Sequence, residues 1–135
     1  MSDIAIIMKR PITVAELPTF LRSADTAGMS EEERQRLVDY LARNPLAGDV
    51  IEGTGGVRKV RYAKPGTGRS GGYRAIYYYY DEEAPLFAIY AFGKNQQANL
   101  IPDQKKAAAK FVDAIKAKIR ADRSERETKC PKRER

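Results

Sequence analysis

VRKVRYAKPGTGRSGGYRAIYYYY, residues 57–80, is the stretch on which the fold turns. β-Branched and aromatic residues recur at its two ends, 57–63 and 73–80, and Pro, Gly, Thr and Ser crowd the middle, which is the pattern of two strands joined by a hairpin loop. Side chains alternate across a strand, so Lys59 and Arg61 share one face with Val57, while Arg58 and Tyr62 share the other with Val60. The same alternation separates Tyr77 and Tyr79 from Tyr78 and Tyr80, so at least one of these pairs belongs to the core or lies under a helix. Asp81, Glu82 and Glu83 then read as a turn, and LFAIYAF, residues 86–92, as a third strand, making a meander.

Upstream of this hairpin the period changes from two to that of a helix. Ser30 followed by Glu33 is a capping box, and Leu37, Val38, Tyr40 and Leu41 form an apolar stripe that Asn44 and Pro45 end. A shorter helix is expected to carry Phe20, Leu21 and Ala24, preceded by Glu16 and Leu17, with Pro18 in its first turn, and to stop before Gly28. Ile4 to Val14 is rich in β-branched residues, but Pro11 leaves room only for a broken strand or one at an edge.

Downstream, Ala107, Ala108, Phe111, Val112, Ile115 and Ile119 lie on one face of a helix spanning Asp103 to Arg120, placed to cap or flank the sheet. Residues 121–135 are mostly charged, lack apolar periodicity and contain Pro131, so a disordered tail is expected there. The reading is an α+β chain: one domain over residues 1–120, and the tail.

Composition narrows the chemistry. With 135 residues, 42% hydrophobic and 32% charged, the chain buries one modest core and needs no second domain. The 25 Lys and Arg against 18 Asp and Glu leave +7, a sign that favours polyanions or an acidic partner. The single Cys130 has no partner for an internal bridge or a zinc site, which fits a reducing cytoplasm. The apolar run Ile4 to Met8 is far shorter than a membrane span. With no histidine, any catalysis uses other groups, and neither a metal nor a cofactor is expected; residues 66–72 match no nucleotide fingerprint.

The excess charge is concentrated. No acidic residue lies between Glu52 and Asp81, whereas Arg58, Lys59, Arg61, Lys64, Arg69 and Arg74 all do, among glycines that permit close backbone approach to a ligand. This suits a phosphate-binding surface. Cleavage of RNA by its own 2′-hydroxyl needs a group that moves protons and groups that hold the growing charge on phosphorus. Arg clamps phosphate bidentately with a fixed charge, while Lys among other cations exchanges a proton more readily. Lys59 is therefore assigned to proton transfer, and Arg61 and Arg74 to the phosphate. Arg58, Lys64, Arg69 and Lys94 are expected to bind RNA, with Tyr73 and Tyr90 as base-contact candidates.

Three blocks, NPLAGDVIEGTGGVRKVR (44–61), GRSGGYR (68–74) and FGKN (92–95), resemble the HigB-like branch of the RelE/ParE superfamily of toxins in order and spacing. The resemblance spans roughly Val14 to Ile119. It implies a fold similar to microbial ribonucleases: a small antiparallel sheet with two N-terminal helices packed on it and a C-terminal helix. It also implies the toxin of a type II toxin-antitoxin pair, a ribosome-dependent messenger RNA endonuclease held in check by a cognate antitoxin with a helix-turn-helix domain. Lys59, Arg61, Arg74 and Lys94 match the family's basic positions. Where the RelE type carries a further arginine and a base-stacking tyrosine, this chain has Asn95 and Ile101. Two alternatives go with that departure: a ParE-like inhibitor of DNA gyrase without nuclease activity, and a degenerate toxin that no longer cuts.

Overall fold

A computed structural model describes residues 11–63, 72–93, 96 and 99–129. The chain runs β1 (Val14–Glu16), α1 (Pro18–Thr26), α2 (Glu31–Arg43), β2 (Asp49–Val50), β3 (Val57–Ala63), β4 (Gly72–Tyr78), β5 (Leu86–Gly93) and α3 (Pro102–Lys129). The strands form one sheet in the order β1-β5-β4-β3-β2. The expected meander β3-β4-β5 is its centre, antiparallel throughout. At the edge, β1 pairs with β5 in parallel, so the α+β class holds and the sheet as a whole is mixed. Pro11 precedes this three-residue edge strand, where a missing N–H costs no ladder bond.

Local signals explain the helices. Ser30 Oγ accepts the Glu33 N–H at 3.1 Å while Glu33 Oε1 accepts the Ser30 N–H at 2.9 Å, so the capping box forms reciprocally. Pro18 starts α1 at a position whose N–H has no helical partner.

Two apolar layers sandwich the sheet. On one face Phe20, Leu37 and Leu41 of α1 and α2 pack against Val60, Tyr73, Ala75, Tyr77, Leu86 and Ala88. On the other, Ala108 and Val112 of α3 pack against Val57, Ile76, Tyr78, Ile89 and Phe92. Lys59 and Arg61 alternate with Val60 and Tyr62, and so lie on the α3 face, as strand periodicity requires. The register jumps between Ile76, opposite Tyr90, and Tyr77, opposite Ala88, leaving Ile89 as a bulge. Consequently Ile89 and Tyr90 both serve the α3 layer, and the bulge re-aims Tyr90 onto the face that carries the cations.

Fully buried Tyr77 also ties down the approach to β2. Its hydroxyl accepts the Gly48 N–H at 2.8 Å and donates to the Pro45 carbonyl at 2.8 Å, and burial raises its pKa above the ordinary tyrosine value. A Cβ on Gly48 would stand 2.8 Å from the Lys59 carbonyl oxygen, so only glycine fits this close approach. Tyr77→Phe strands a buried donor and an acceptor, and is expected to cost about 1–3 kcal/mol in urea unfolding. An unchanged midpoint would show that these bonds contribute nothing.

The C-terminal segment corrects one expectation. The tail anticipated from Ala121 is instead helical to Lys129, continuous with α3; residues 130–135, with Cys130, lie outside the described residues. Apolar periodicity does end near Ile119, but a polar anchor takes over. Arg123 donates to both carboxylate oxygens of Asp81, at 2.8 and 2.9 Å, and its guanidinium lies 5.5 Å from the Tyr80 ring centre.

The Arg123 bonds hold the Asp81 carboxyl below its usual value. A lowered folded-state pKa stabilises fully above the unfolded value, and that stabilisation is lost as pH falls through the folded one. Arg123→Ala is therefore expected to lower the melting temperature by a few degrees at neutral pH, with the difference disappearing in strong acid. Equal differences across a pH series of melts would rule out the ion pair as the cause; because both groups are partly exposed, the effect stays modest.

Candidate nucleic-acid interface

Strand register assembles the site. In the β3/β4 ladder Arg61 stands directly opposite Arg74, and Arg74 in turn is opposite Phe92 of β5. The next row on the same face runs Lys59, Ile76, Tyr90. Lys59 and Arg61, two residues apart on one strand, have Cα atoms about 7 Å apart. Three cations from two strands thus lie close together on the face of the sheet against which α3 packs.

Opposed like charges on neighbouring strands destabilise a sheet. Facing arginines at the Arg61/Arg74 pair together attract an anion that lies between them. A small cavity of about 40 Å³ is lined there by Arg61, Gly72, Tyr73 and Arg74. Arg61 is exposed and Arg74 half-buried, so the pair is open to solvent on one side and backed by the sheet on the other.

Two aromatic side chains border the cations. Tyr90 and Phe92 stack with ring centres 5.7 Å apart and planes 19° from parallel, Phe92 nearly buried and Tyr90 half-exposed. Burial raises the Tyr90 pKa, so its phenol stays protonated at neutral pH and acts as a hydrogen-bond donor or stacking surface. At the other margin the Lys59 ammonium donates to Asn99 Oδ1 at 2.7 Å.

The structure thus gathers Lys59, Arg61, Arg74 and Tyr90. Two expected RNA contacts are corrected. Tyr73 sits on the α1/α2 face, buried, with its hydroxyl 3.1 Å from Glu33 Oε1, because its odd position in β4 puts it opposite in sense to Arg74. Arg58 likewise faces away from Lys59, and its guanidinium donates to the Gly48 carbonyl at 2.6 Å, bracing the segment before β2. Lys64, Arg69, Lys94 and Asn95 lie outside the described residues. Ile101 is half-exposed just before α3, where its N–H donates to Gln104 Oε1.

Asn99 and Phe92 were missed by the sequence reading. The alternation of β5 does place Phe92 beside Tyr90, two positions on, but the pairing of Asn99 with a residue forty positions earlier leaves no local trace.

Chemically, two guanidinium forks and one ammonium around an open anion cradle, with an aromatic shelf alongside, suit a phosphodiester with an unstacked base. Residues 16–127, from the last residue of β1 nearly to the end of α3, match the model of a family described as the RelE toxin of the RelE/RelB toxin-antitoxin system.

Proposed function

The chain belongs to the RelE toxin family, the toxin side of a toxin-antitoxin pair, and from that premise we propose that it is a HigB-like toxin cleaving messenger RNA on the ribosome. The observation that carries this reading is the placement of Lys59, Arg61 and Arg74 on one face, with the two arginines directly opposed. In the proposed reaction the RNA 2′-hydroxyl attacks the adjacent phosphorus, a 2′,3′-cyclic phosphate forms and the 5′-oxygen of the next nucleotide leaves. Arg61 and Arg74 hold the non-bridging oxygens and offset the charge that grows on them in the transition state. Lys59 exchanges a proton with the attacking or the leaving oxygen, a role its compact, rotatable ammonium suits better than arginine does. Tyr90, stacked on Phe92, offers the surface for an unstacked base, standing in for the absent aromatic at Ile101.

A cognate antitoxin, expected to carry a helix-turn-helix domain, is the physiological partner, and the cytoplasm the expected site of action. No helix among the described residues is long and apolar enough to cross a membrane. Induction of the chain without its antitoxin tests the reading directly. Growth arrest with fragmentation of translated messages is the expected outcome. Intact messages with DNA damage would favour gyrase inhibition, and intact messages with continued growth a toxin that no longer cuts.

A further inference from the structure

We infer that Asn99 is a positioning residue for Lys59, an inference that rests on the cleavage reading above. Asn99 lies between β5 and α3, and described residues on either side of it are tied down. The Gly93 N–H donates to Gln96 Oε1 where the chain leaves β5, and the Ile101 N–H donates to Gln104 Oε1 where it enters the helix, with the Lys105 N–H reaching back to the Ile101 carbonyl. Between these ties Asn99 Oδ1 accepts from Lys59 Nζ at 2.7 Å, across forty positions of sequence.

The acceptor's chemistry matters as much as its place. A lysine beside two arginines is pushed outward by like charge, and its four-carbon stem gives it many ways to go. A carboxylate would hold it but would also cancel the charge that a phosphate is to meet. A neutral amide oxygen holds one N–H and leaves the positive charge intact. With one N–H directed to Asn99, the ammonium is held on the face that carries Arg61 and Arg74. Nothing in the type or spacing of Asn99 marks it; the contact joins residues forty positions apart.

The test compares the full chain with Asn99→Leu, which keeps the volume and removes the acceptor, and with Asn99→Asp, which keeps an acceptor oxygen. Each is made alone and in a Lys59→Met background, with Asn99→Ala as a substitute if the leucine variant does not fold. Single-turnover cleavage of a defined message on isolated ribosomes and affinity for those ribosomes are measured separately. Loss of the acceptor is expected to slow cleavage by roughly ten- to a hundredfold, the scale of a misplaced catalytic group, with affinity changed by less than about twofold. Asn99→Asp, which holds the ammonium but offsets its charge, should recover only part of the rate, and neither change should slow the Lys59→Met chain further. Wild-type cleavage with an equally active leucine variant overturns this inference alone, as does an equal loss in the Lys59→Met background, because Asn99 would then act without Lys59. A wild type that leaves the message intact overturns the nuclease reading and this inference together.

Discussion

Arg61→Ala or Arg74→Ala is expected to lower the single-turnover rate of message cleavage by about 100- to 1,000-fold each, the usual effect of removing one preorganised donor to a developing oxyanion. The two losses should not add. The residues face one another across a single strand pair, and in the proposed reaction they hold one phosphate, so removing the first releases much of what the second contributes. Arg→Lys at either position keeps the charge and loses the fork, and should recover only part of the rate. Arg58→Ala is the informative contrast: that arginine lies on the other face and bonds the Gly48 carbonyl, so its loss should affect stability and leave the chemical step alone. A chain that carries both Arg61→Ala and Arg74→Ala and still arrests growth like the wild type would place the active surface elsewhere.

Phe20→Ala is expected to cost about 3–5 kcal/mol, the range for deleting a buried aromatic from a packed core. That is a large part of the roughly 5–15 kcal/mol that holds a domain of this kind together. Phe20 is fully buried at the centre of the layer where α1 and α2 meet the sheet, among Leu37, Leu41 and the inward face of β3, β4 and β5. Phe20 and Ala24 are the buried residues of α1, and Thr19 and Ser23 add hydrogen bonds to Ile89 and Ala91 of β5. Urea unfolding followed by circular dichroism measures the loss; a cost under about 1 kcal/mol would mean that the surrounding side chains collapse into the space. The expected cellular result is weaker toxicity through a smaller folded fraction, with the cation site itself unchanged.

How far each feature was legible follows from the range of the interaction that makes it. The capping box, the Pro18 start and the strand 57–63 rest on neighbours within a few residues, and each forms where the pattern placed it. The common face of Lys59 and Arg61 follows from strand periodicity alone. The role of Arg58 did not, since its partner is a backbone carbonyl presented by the loop before β2. Tyr73 was misassigned as a base contact because composition marks an aromatic residue without saying which face it takes. Strand alternation sends it to the face opposite Arg74. The helical end of α3 was invisible for a different reason: its anchor, Arg123 on Asp81, joins two charged residues from distant segments.

What the sequence by itself determined is the central three-stranded meander, the three helices in outline, the α+β class and the acid-free basic segment, because these are written in short-range periodicity, caps and local charge density. Only the tertiary structure decided which cations meet. The register of β3 on β4 set Arg61 against Arg74, the bulge at Ile89 turned Tyr90 toward them, and a bond across forty positions joined Asn99 to Lys59. Each of these depends on pairings between residues far apart in the chain, which hydrogen bonding and core packing select together and no local pattern encodes.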